Sequence, residues 1–103
     1  MEVQLIKYER TGGFAGMRIS ADIEPDKLPD EQIRPLLDLL DDMGFDELPE
    51  QLTGESSMSD QFTYQITVKT NKWEHTVVTG DASAPDKLLE LLRLLDRIAK
   101  RRQ

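Results

Sequence analysis

Apolar residues along the chain follow two periods. Phe62, Tyr64, Ile66 and Val68 alternate with Thr63, Gln65 and Thr67, and Met17, Ile19, Ala21 and Ile23 alternate with Arg18, Ser20, Asp22 and Glu24. A period of two is that of a strand with one buried side. Val3 to Arg10 reads as another strand, with Val3 and Leu5 on one face and Ile6 and Tyr8 offering a second apolar face, so that it can be covered on both sides. Trp73 to Thr79, with Val77 and Val78, is a fourth, joined to its predecessor by a short reversal at Asn71-Lys72.

The other period is helical. Ile33, Leu36, Leu37, Leu40 and Met43 recur every three or four residues, and Glu31, Arg34, Asp38, Asp41 and Asp42 fall mainly outside that stripe. Pro25 and Pro29 break the preceding strand, Asp30 is placed to cap the helix and Gly44 to stop it. Leu88, Leu91, Leu92, Leu95, Ile98 and Ala99 mark a second helix, entered through Ser83-Ala84-Pro85-Asp86 with Ser83 as its cap. Leu89 and Leu94 widen its apolar surface beyond one stripe, which suits either core packing or a dimer contact. Leu52 to Asp60 has almost no core-forming pattern and reads as a loop within an acidic stretch from 46 to 60. The order ββαββα predicts a two-layer α+β domain over residues 1–103, with a four-stranded antiparallel sheet and two helices on one face.

Charge narrows the function classes. The formal net charge is -7, and thirteen acidic residues stand against Lys27 and Arg34 between Asp22 and Asp60, whereas the chain ends Lys100-Arg101-Arg102. No clustered basic surface of the kind that binds phosphate is expected, which argues against a nucleic-acid partner. With no cysteine there is no disulfide framework and no thiolate chemistry, and a cytoplasmic location is the expectation. The N-terminus lacks the pattern of a signal peptide and no apolar run approaches a membrane span, so no membrane partner is expected.

Candidate chemistry is sparse. His75 is the lone histidine and sits within a strand pattern, where a satisfied structural role outweighs catalysis. Asp41, Asp42, Asp46, Glu47 and Glu50 are dense but lack the spacing of a calcium loop. No phosphate-cradling glycine motif precedes a helix. The chain therefore reads as non-enzymatic, with no cofactor and no resident metal. What remains is Arg10-Thr11-Gly12-Gly13-Phe14-Ala15-Gly16, a glycine-rich turn between two strands. Its glycines suit a chain reversal, but a large apolar ring beside the tip must either fold back onto the sheet or meet a partner.

These residues also carry a resemblance. The early strand leading into Arg10–Gly16, the Leu28-Pro29 helix entry, the strand ending His75-Thr76-Val77 and the Pro85 start of a leucine-rich helix are similar, in order and spacing, to the emfourin family, proteinaceous inhibitors of protealysin-type, thermolysin-like metallopeptidases. The resemblance implies a protein that binds such a peptidase and blocks its cleft, the peptidase supplying the zinc. It makes Arg10, Thr11, Gly12, Gly13, Phe14, Ala15 and Gly16 the candidate partner contacts. Thr11 stands where the family pattern favours serine, a departure that keeps the hydroxyl. A monomer is expected over a homodimer. The competing reading is a structural or adaptor domain that dimerises through the last helix, with the glycine turn an ordinary hairpin.

Overall fold

The computed structural model describes residues 2–12, 18–52, 62–80 and 85–101. Five strands and two helices occur in the order β1 (Val3–Gly12), β2 (Ile19–Ile23), α1 (Asp30–Met43), β3 (Gln51–Leu52), β4 (Phe62–Thr70), β5 (Glu74–Gly80) and α2 (Asp86–Arg101), with short 3-10 turns at Pro25–Lys27 and Phe45–Glu47. The sheet order is β2-β1-β4-β5-β3. Four strands pair antiparallel as the alternation predicts, but β3 adds a fifth, parallel to β5 through Gln51–Val78 and Leu52–Thr79. The sheet is therefore mixed and five-stranded, not antiparallel and four-stranded.

This strand escapes pattern reading because two residues have no period. It is held from outside: the Val78 amide donates to the Glu50 carbonyl at 2.8 Å, and the Thr79 hydroxyl to the Leu52 carbonyl at 3.1 Å. The start of the acidic stretch thus lies along the β5 edge, while residues 53–61 fall outside the described set.

Register arranges one face in rows. Ile23, Ile6, Val68 and His75 form the first; Ala21, Tyr8, Ile66 and Val77 the second; Ile19, Arg10, Tyr64 and Thr79 the third. This is the face that the helices cover, with Ile33, Leu36 and Leu40 of α1 and Leu88, Leu91, Leu92, Leu95, Ile98 and Ala99 of α2 buried in one core with it. The opposite face carries Lys7, Glu9, Gln65, Lys69 and Glu74 and is polar, so β1 is not covered on both sides. A register shift between Val3 and Leu5 explains the misleading pattern: it returns Val3 to the covered side with Ile6 and leaves Leu5 half-buried opposite.

The helix ends differ in how they are closed. Asp30 is the first helical residue of α1 and not its cap; Pro29 takes the cap position and makes no side-chain cap bond. Asp30 and Glu31 still favour the positive end of the helix dipole. Gly44 ends the helix as predicted, in the left-handed region at φ 60°, with its amide turned back to Asp41 and Leu40. Ser83 lies outside the described residues. Leu89 and Leu94 are half-buried against the core, so packing within the monomer uses part of the surface that a dimer would need.

Candidate functional site

The candidate loop begins on a strand paired on both sides. Arg10 faces Ile19 of β2 and Tyr64 of β4, Thr11 faces Thr63, and Gly12 faces Phe62. Pairing with β4 thus runs to the last residue of β1. Gly12 has φ 104°, a conformation that a residue with a Cβ rarely adopts, which accounts for glycine at the point where the chain turns out of the sheet. Gly13, Phe14, Ala15 and Gly16 lie outside the described residues, so the structure brings together the base of the loop, Arg10, Thr11 and Gly12.

Alternation points Arg10 and Thr11 to opposite faces. Arg10 occupies the third row of the covered face, where a guanidinium needs compensation. Asp96 of α2 supplies it: Arg10 Nη1 lies 3.0 Å from Asp96 Oδ1, and the two side chains are only 17% and 19% exposed. The Tyr8 hydroxyl donates to the same oxygen at 3.0 Å, and Lys100 Nζ is 3.1 Å from Oδ2. The guanidinium also sits 4.5 Å from the centre of the Phe62 ring, in cation–π geometry. Tyr8 stacks on Tyr64 at 6.4 Å, and Tyr64 meets Phe62 at 6.3 Å. Burial first, then the hydrogen bond and negative charge of Asp96, push the Tyr8 phenol well above its ordinary pKa. Among the described residues, Arg10 Nε has no partner.

Sequence reasoning missed Asp96, Tyr8, Phe62 and Tyr64 as supports of the loop base. The available signal was an acidic residue within an apolar stripe: Asp96 follows Leu92 by four and precedes Ala99 by three, and both neighbours are buried. An acid on that face calls for a cation across the interface.

His75 has the structural role that its strand setting suggests. Its Nε2 donates to the Leu48 carbonyl at 2.7 Å, which ties the segment after α1 to β5, and its ring meets Phe45 edge-on at 5.8 Å. Among the described residues, no group of three or more His, Asp or Glu side chains is placed to hold a metal ion. No described helix is long and apolar enough to cross a membrane.

The loop base is also where other connections leave the sheet. Gly12 lies beside Phe62, Thr63 beside Gly80, and Thr79 beside Leu52. Gly12, Leu52, Phe62 and Gly80 therefore gather at one end of the sheet, a common position for recognition surfaces.

Neither the curated proteins nor the solved structures include a significant match to this chain. A family model does match, the emfourin model, over residues 8–96, a span that runs from Tyr8 in β1 to Asp96 in α2 and contains the whole loop with its base. With most of its length covered by that model, the chain belongs to the emfourin family.

Proposed function

We propose that this protein inhibits a protealysin-type, thermolysin-like metallopeptidase by presenting the loop 10–16 to the active-site cleft. The observation that carries the reading is the pairing of β1 with β4 through Gly12, together with the pairing of Arg10 with Ile19 on the other side. A strand end fixed by its neighbours is ordered before binding, so less ordering at the loop base opposes association. Membership of the emfourin family supports a peptidase as the partner.

In this reading Phe14 enters an apolar pocket of the cleft, of the sort that accepts large hydrophobic side chains, and Gly12, Gly13 and Gly16 let the backbone come close. Thr11 and Ala15 are further candidate contacts. The protein does no chemistry of its own; the zinc and the general base belong to the peptidase.

Progress curves of peptide cleavage by protealysin-type peptidases, run with this protein from substoichiometric to excess concentrations, test the reading. Saturable inhibition near one-to-one stoichiometry supports it. Peptidases that run unaffected across a competent panel, or that simply digest the protein, overturn it.

A further inference from the structure

We infer that Asp96, a residue of the last helix outside the candidate loop, is the positioning residue of the inhibitory hairpin and acts on it through Arg10. The inference rests on the function proposed above and adds a second element of the fold to it.

Three observations converge. The register of β1 turns the Arg10 side chain toward the helices, two residues before Gly12, where the chain turns out of the sheet. Asp96 pairs with Arg10 and accepts from Tyr8 on one oxygen and faces Lys100 with the other, so its carboxylate is held from the strand and from its own helix. The guanidinium so fixed lies against Phe62, the residue paired with Gly12. One carboxylate therefore joins α2, the β1 end and the β4 start at the point where the chain turns out of the sheet.

Its physical effect differs from that of a surface ion pair. Both side chains are mostly buried, so solvent screens the pair little, and the Tyr8 hydrogen bond to the carboxylate is charge-assisted. Loss of the charge leaves Arg10 buried without a counter-ion. The guanidinium must then move to solvent, and it withdraws from the Phe62 ring and from the strand end as it does so. The geometry of the loop base is thus made to depend on a helix that need not touch the peptidase.

The experiment compares the whole protein carrying Asp96→Asn, Arg10→Gln or both, by inhibition constant and by amide hydrogen exchange in the free state. Asp96→Asn is expected to raise the inhibition constant about tenfold, the cost of a less ordered loop. It is also expected to speed exchange at residues 10–12 and 18–20 while leaving the paired amides of residues 66–69 and 74–77 unchanged. In the Arg10→Gln background the same substitution is expected to add almost nothing, which a general structural role would not produce. Inhibition and local exchange like wild type would overturn the inference, as would an undiminished effect of Asp96→Asn in the Arg10→Gln background. Faster local exchange in Asp96→Asn, combined with no inhibition of any peptidase by the wild type, would retain the brace and discard the inhibitory function.

Discussion

The two antiparallel hairpins of the sheet are secured in opposite ways. The β4–β5 hairpin closes on itself: the Thr70 hydroxyl accepts from the amides of Lys72 and Trp73 at 3.0 and 2.9 Å and donates to the Trp73 carbonyl at 3.1 Å. Asn71 exchanges two further bonds with the Glu2 backbone, and Trp73 stacks on Phe45 at 6.4 Å. Across the β1–β2 hairpin, an exposed pair joins two of its own described side chains, with Arg18 Nη2 donating to Glu9 Oε2 at 2.9 Å. The hairpin is braced from behind, through Arg10, Asp96 and the aromatic series Tyr8, Tyr64 and Phe62. A turn that consumes its own polar groups is built for stability. One held at the base by another layer takes its geometry from that layer.

The largest expected effect breaks the self-closed hairpin. Phe45 is 1% exposed and supports both Trp73 and His75. Phe45→Ala should cost about 3–5 kcal/mol in urea unfolding, the range for removing a buried aromatic ring. A loss below ~1 kcal/mol would mean that this aromatic cluster contributes little to the fold.

Next in size is the tip of the other hairpin, where the effect is on binding. Phe14→Ala should weaken inhibition by about 2 kcal/mol or more, near thirtyfold in the inhibition constant, while the urea midpoint stays close to wild type. An unchanged constant removes Phe14 from the mechanism. A large fall in the urea midpoint would instead place its ring in the fold.

Thr70→Val reverses that signature. It keeps the side-chain shape, removes the acceptor for two amides in a residue 5% exposed, and should cost about 1–2 kcal/mol of stability with no change in inhibition constant. A matching loss of inhibition would show that the two ends of the sheet are coupled and that the contrast between the hairpins is false.

How legible each hairpin was in the sequence follows from the same contrast. Alternation located β2 and β4, and the leucine stripe of α2 matched the buried residues position by position, because these elements owe their form to a regular apolar period. β3 was invisible because two residues carry no period, and the double apolar face of β1 was an artefact of the irregularity between Val3 and Leu5. Asp30 looked like a cap on residue type alone, but the chain direction set by Pro29 starts the helix one residue earlier than that choice requires. At the candidate site, Gly12 announced its turn, whereas the Arg10–Asp96 link joins residues 86 positions apart and has no local signature. Its only trace is a charge within a stripe that should be apolar.

The smallest predicted effect separates the two kinds of support by pH. Tyr8→Phe removes the phenol bond to Asp96 and should cost about 1 kcal/mol near neutral pH. The Tyr8 pKa is raised in the folded protein, so the unfolded chain loses this proton first, at about pH 10. The phenol's stabilising contribution is therefore complete below about pH 10 and is lost as pH rises through the interval between the unfolded and folded values. Tyr8→Phe lacks that interval, so urea stabilities of wild type and variant should converge above pH 10. Thr70→Val has no such group at stake, and its deficit should run parallel to the wild-type curve over the same range. Parallel curves for both variants would show that the Tyr8 hydroxyl does not meet Asp96 in solution, and the brace behind the β1–β2 hairpin would then rest on Arg10 alone.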